Sequence, residues 1–195
     1  MFDEEQRRIF NNFESRSDIK HFAFRGGSGT GKTLVALKCI NLLIRRYIND
    51  GEENIFVYAL TCQEEPERSD LLPLVQEFKE YISSCNVRYR CETLNELLYE
   101  FENLPSANLE QRIWHLATWK SGPRDLVDIL KSLVESLKFI HLEKPIILFL
   151  DEIYETESHN LLGFDFSKFD NNLLNIIMVF NPILQTHHSN AELDI

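Results

Sequence analysis

The sequence predicts an α/β protein: a central, mostly parallel sheet of about five strands, with helices on both faces to give three layers. Two kinds of observation lead there. Runs such as Ile55 to Leu60 and Ile146 to Leu150 are apolar without alternation, as strands covered on both faces must be. Segments of helical periodicity separate these runs, and a glycine-rich turn joins the first predicted strand to the helix after it.

In chain order, Asp3 caps a helix running through Glu4, Glu5 and Gln6 to Phe13, with Ile9, Phe10 and Phe13 on one apolar face. A short strand spans His21 to Phe24. Leu34 to Tyr47 holds neither Gly nor Pro and reads as a helix that turns Val35, Cys39, Leu42 and Leu43 inward. Ile55 to Leu60 is the second strand, Leu71 to Ser83 a helix, and Asn86 to Cys91 a third strand. Thr93 with Glu96 forms a capping box opening a helix to Phe101. Residues 105 to 142 hold two amphipathic helices, one after Asn108 and one near Pro123. The second carries the stripe Leu126, Leu130, Leu133, Leu137 and Ile140, and we read the segment as a helical insertion packed beside the sheet. Ile146 to Leu150 ends at Asp151 and Glu152, and Leu173 to Phe180 is the fifth strand.

The 195 residues suit one domain, 1–195, of ordinary globular composition, with 44% hydrophobic and 26% charged residues. No apolar run reaches the roughly eighteen residues needed to span a bilayer, and the acidic N-terminus is unlike a signal peptide. The expectation is a cytoplasmic or nuclear protein without a membrane partner. Cys39, Cys62, Cys85 and Cys91 form no CxxC pair, which argues against a zinc site. The net charge of −11 divides into nine Lys/Arg against six Asp/Glu over residues 1–50 and eleven against twenty-five thereafter. Such a chain is poorly suited to gripping a polyanion unaided.

Gly26-Gly27-Ser28-Gly29-Thr30-Gly31-Lys32-Thr33 matches GxxxxGK[ST] between a predicted strand and a predicted helix. Glycines let successive N–H groups curl round a phosphate chain, and the helix start adds a positive dipole end. Lys32 would reach the β- and γ-phosphates, and the Thr33 hydroxyl would join a Mg²⁺ shell. The fold class thereby narrows to a three-layer P-loop NTPase with ATP and Mg²⁺ as ligands. Asp151 and Glu152 after a buried strand supply the pair that hydrolysis needs, Asp151 for Mg²⁺ and Glu152 for the attacking water.

The order of these motifs resembles the first RecA-like domain of superfamily 1 DNA/RNA helicases, including Schlafen-type helicase-like proteins. Four places carry it: Phe2 to Ile9, the glycine loop, Val87 to Leu97, and Asp151-Glu152 with the later segment Ile176 to Gln185. The resemblance implies that Gln6 reads the adenine edge and that Gln185 senses the γ-phosphate. Ile153-Tyr154 stand where the family usually has Ala and then Gln or His, and Asn181 stands where an acid is typical.

From residue 145 onward Lys168 is the single Lys or Arg, so an arginine finger must come from elsewhere. The resemblance implies a second RecA-like domain, or a protein partner supplying an arginine, and nucleic acid bound through a larger assembly. The expectation is an ATP-binding chain that hydrolyses slowly alone. The alternative is an AAA+ or STAND-type nucleotide-controlled protein-interaction switch. No Asn-Lys-x-Asp segment supports a GTPase, and no late arginine lid supports a small-molecule kinase. Trp114 and Trp119 are read as packing residues, Arg88 and Arg90 as partners of nearby acids, and His187-His188 as lacking a third metal ligand.

Overall fold

The computed structural model describes residues 3–16, 20–27, 29–62, 87–94, 96–97, 99, 126–141, 143–154 and 173–181. The helices expected over 71–83 and after Asn108 lie outside these residues, as do Ser28 and Gln185.

Helix α1 (Glu4–Ser15) starts as its sequence requires: Asp3 accepts from the Gln6 amide nitrogen and the Gln6 side chain accepts from the Asp3 nitrogen, a complete capping box. Strand β1 (His21–Arg25) leads into the glycine loop, and α2 (Lys32–Asn49) follows. Then come β2 (Ile55–Thr61), β3 (Val87–Thr93), α3 (Leu126–Ile140), β4 (Ile146–Tyr154) and β5 (Leu174–Asn181). The Thr93–Glu96 capping contacts are present, with Glu96 N donating to Thr93 Oγ1 at 3.0 Å and Thr93 N to Glu96 Oε2 at 2.8 Å.

The five strands form one sheet in the order β1-β5-β4-β2-β3, and every neighbouring pair is parallel. Continuous apolar runs are explained by the layers. On one face α1 and α2 pack through Phe13, Val35, Ile40 and Ile44 against Val57, Phe149, Ile177 and Val179. On the other, Leu130, Leu133 and Leu137 of α3 pack against Leu60, Leu148, Leu150, Ile176 and Met178. Alternate residues of each central strand thus serve opposite layers. The second helix expected in the segment 105–142 is α3, and it covers one face of the sheet. Its Ile140, like Ile9 of α1, is 37% exposed and lies at the margin of the apolar stripe.

A buried amide on the sheet finds its partner on the helix layer. Asn175, 1% exposed on β5, donates through Nδ2 to the Tyr47 hydroxyl of α2 at 2.5 Å, which gives the amide of this apolar strand a hydrogen-bond partner. Among the described residues no helix is long and apolar enough to cross a membrane.

The strand order positions the polar residues. From β1 the chain crosses past two strand positions to β2 and moves outward to β3. It then returns by way of α3 to β4 and steps on to β5, beside β1. Connections from β1 and β4 therefore leave in opposite directions, and the crevice between such strands, at their carboxyl ends, is where open parallel sheets take ligands.

Candidate functional site

The glycine loop and the two acids meet across that crevice. Thr33, in the first turn of α2, donates from Oγ1 to Asp151 Oδ1 at 3.3 Å, joining positions 118 residues apart in sequence. Asp151 faces the α2 layer because it follows Leu150, which faces α3. Its carboxylate is 6% exposed and also accepts from Glu152 N at 2.9 Å. Burial pushes its pKa up to about 6, with the neighbouring Glu152 charge adding to the rise. The Glu152 amide, the Thr33 hydroxyl and Lys32 pull the other way.

The loop is built on left-handed backbone at Gly29 (φ 74°) and Gly31 (φ 75°). Gly31 is also the N-cap of α2 and offers no side-chain cap, which leaves the first-turn amides of the helix for another acceptor. Lys32 folds back so that Nζ donates to the Gly27 carbonyl at 2.7 Å, and Thr30 Oγ1 donates to the same oxygen at 2.9 Å. Both donors converge on one point of the loop. Gly26 continues β1 into this turn.

Gln6 has two uses. Oε1 completes the capping box, and Nε2 donates to the Thr30 carbonyl at 2.9 Å. A Cβ at Gly31 would lie 2.5 Å from that nitrogen, so α1 is seated directly on the loop. Sequence reasoning assigned Gln6 to a base edge; in this structure both ends of its amide are engaged within the chain.

Strand β4 does not end at Asp151 and Glu152 as the sequence suggested, because it continues through both acids to Tyr154. Leu150 pairs with Met178 and Ile153 with Phe180, so Asp151 and Glu152 together oppose the single residue Val179. This is a β-bulge, uncommon between parallel strands, and Glu152 takes the left-handed conformation, φ 58°, that accommodates it. The bulge returns Ile153 to the α3 layer, where it is fully buried. Asn181, at the end of β5, donates through Nδ2 to Glu152 Oε2. The Asp151 carbonyl accepts from Cys62 N at 2.9 Å, extending the β2–β4 ladder past Thr61.

A cavity of about 640 Å³ opens beside the loop and runs along β1 and α1. Its lining includes Gln6, Asn12, Arg16, Arg25, Thr30 and Lys32, with Ile9, Phe13 and Phe22 as apolar surface. A volume of this size is ordinary for a small-molecule site. Sequence reasoning passed over Arg16 and Arg25; the position of Arg25 directly before the glycines was the available signal.

Among the described residues no group of three His, Cys, Asp or Glu side chains could hold a metal ion. Thr33 and Asp151 offer two adjacent oxygens, which fits Mg²⁺, an ion that takes few protein ligands and fills its shell with phosphate oxygens and water. No protein-family model matches the chain, and no curated protein matches it.

Proposed function

We propose that the chain is an ATP-binding P-loop NTPase domain of the kind found as the first motor domain of superfamily 1 helicases. The observation that carries this reading is the contact between Thr33 and Asp151, which joins the start of the helix after the glycine loop to the acid of β4. A glycine turn alone needs no such partner. A hydroxyl on a buried carboxylate beside a lysine is the arrangement expected where a metal–phosphate group is gripped.

In this reading the loop amides and the α2 terminus hold the phosphates, and Lys32 leaves the Gly27 carbonyl for them. Thr33 and Asp151 would hold Mg²⁺, which when bound neutralises phosphate charge. Glu152, half-buried on the bulge, orients or deprotonates water. The nucleoside end lies in the cavity between α1 and β1. Hydrolysis by this chain alone is slow, since a second RecA-like domain or a protein partner supplies the arginine, and nucleic acid binds through that larger assembly.

A second reading, an AAA+ or STAND-type nucleotide-controlled interaction switch, gains from the engagement of Gln6 with Asp3 and Thr30. The helicase reading used that amide for the base. Equilibrium binding of ATP, GTP and a non-hydrolysable ATP analogue to wild type, Gln6→Ala and Lys32→Ala separates the possibilities. Unchanged ATP affinity in Lys32→Ala would overturn nucleotide binding at the loop. Loss of ATP preference over GTP in Gln6→Ala supports the helicase-type base site, and its full retention favours the switch.

A further inference from the structure

Among the described residues β1 is an edge strand of the sheet. Every residue from His21 to Arg25 lines the cavity, although successive side chains of a strand point to opposite faces, so what they share is the backbone edge. The register fixes which groups point outward. Ile176, aligned with His21, donates from its N to Lys20 O at 3.0 Å, so Lys20, Phe22 and Phe24 turn their backbone polar groups to β5. The N–H and C=O groups of the alternate residues Ala23 and Arg25 therefore point away from the sheet, and among the described residues no hydrogen bond reaches them. The Arg25 guanidinium is drawn over the Phe180 ring, 5.9 Å from its centroid on the α3 side, so at the edge this residue offers its amide. Ala23 C=O and Arg25 N–H thus stand next to each other along the edge, an acceptor followed by a donor, and Gly26 opens the loop directly afterwards. Adenine carries the complement on its Watson–Crick edge, where the N6 amine donates and the adjacent N1 accepts. Guanine carries the reverse, and in the same seat its O6 would face the carbonyl and its N1–H the amide. Ile9 and Phe13 of α1 line the same cavity and supply apolar surface for the flat face of a base.

From this geometry we propose that the open edge of β1, through Ala23 C=O and Arg25 N–H, selects adenine over guanine in the bound nucleotide. The inference rests on nucleotide binding at the glycine loop, which both readings above share. It moves base recognition from a side chain of α1, whose Gln6 amide is engaged at both ends, to the main chain of β1.

The test is calorimetry with Mg²⁺ on a series of nucleotides that differ in the base. Beside ATP and GTP it uses 1-deaza-ATP, in which a C–H replaces N1, purine riboside triphosphate, which lacks the N6 amine, and 7-deaza-ATP, altered away from the Watson–Crick edge. Wild type is expected to bind 7-deaza-ATP within about twofold of ATP and each of the other three about tenfold more weakly or worse, the effect of leaving a hydrogen-bonding group without its partner. Arg25→Pro removes the amide without breaking a ladder bond, since an outward N–H on an edge strand makes none, and it should bind ATP and 1-deaza-ATP alike. Arg25→Ala keeps the amide and should keep the ratio between these two ligands, as should Gln6→Ala. Three results overturn the inference: wild type binding 1-deaza-ATP or GTP as tightly as ATP, Gln6→Ala losing the discrimination against 1-deaza-ATP, or Arg25→Pro with a wild-type circular dichroism spectrum retaining it. The ligand series on wild type decides the question even where Arg25→Pro does not fold. Any of these failures leaves the phosphate site standing as long as Lys32→Ala loses ATP binding. If Lys32→Ala binds ATP normally, nucleotide binding at the loop and this inference fall together.

Discussion

Thr33 and Asp151 are held 3.3 Å apart although they belong to different layers of the molecule, one on a helix and one on the sheet. The Asp151 carboxylate is buried, so its charge is supported by few groups, of which the Thr33 hydroxyl is one. Asp151→Asn keeps the shape but removes the charge that a divalent ion needs. ATP binding measured with Mg²⁺ and with a chelator should converge for this variant, whereas wild type binds more tightly with Mg²⁺. Persistence of the Mg²⁺ effect in Asp151→Asn would remove Asp151 from the metal shell.

Gly31→Ala meets two obstacles. Its φ of 75° costs a residue with a Cβ about 1–2 kcal/mol, and the added carbon lands 2.5 Å from Gln6 Nε2. Adding Gln6→Ala should recover the second penalty but not the first. Gln6→Ala alone should lose about 1 kcal/mol through the capping box, visible in denaturant unfolding without any nucleotide. An unchanged midpoint for Gln6→Ala would show that the helix start does not depend on that box.

Tyr47→Phe deletes the partner of an amide that is 1% exposed. Leaving Asn175 Nδ2 without its acceptor should cost about 1–3 kcal/mol of folding stability. The double variant Tyr47→Phe/Asn175→Val should regain much of that, because both polar groups are then gone. A double variant as unstable as the sum of the singles contradicts the pairing.

His141 stacks on Phe56 with ring centroids 3.6 Å apart, and its Nε2 lies 2.7 Å from the Tyr58 hydroxyl. Burial, and secondarily Arg88, lower its pKa from 6.5 to about 4. Between these values the unfolded chain holds the proton and the folded chain does not, so stability falls as pH drops from 6.5 and levels off below about 4. The ring is part exposed, and after discounting for solvent screening the loss is about 1 kcal/mol. Denaturant unfolding at pH 7.5 and pH 4.5 should show a smaller pH difference in His141→Gln than in wild type; equal differences would exclude this residue as the source.

How much of this was legible in the sequence depends on what kind of information each feature needs. Ile55–Leu60 and Ile146–Leu150 announce themselves because a strand between two layers has no polar position to spare. The ends were less readable. Thr61, Thr93 and Asn181 are polar, yet ladder partners on neighbouring strands keep each of them within its strand. Strand order is not a local property, and no periodicity could place β5 between β1 and β4. The stripe of α3 was visible, but a stripe says only that a helix covers something. Asp151-Glu152 was found as a pair of acids, while the bulge was hidden because its left-handed position holds a glutamate instead of Gly or Asn. Gln6 was singled out for its spacing from the loop; its capping role is written equally plainly in Asp3-x-x-Gln6.

The bulge in β4 has a consequence for changes in chain length. Between the rungs Leu150–Met178 and Ile153–Phe180, β4 spends two residues where β5 spends one. Removing Glu152 would equalise the two strands, keep Ile153 opposite Phe180, and leave Asp151 aligned with Thr61 on β2. A one-residue deletion could therefore tidy the ladder while erasing one of the two acids, so an intact sheet does not by itself guarantee an intact acid pair. The second carboxylate sits on the extra residue of the bulge, which has no ladder partner of its own on β5.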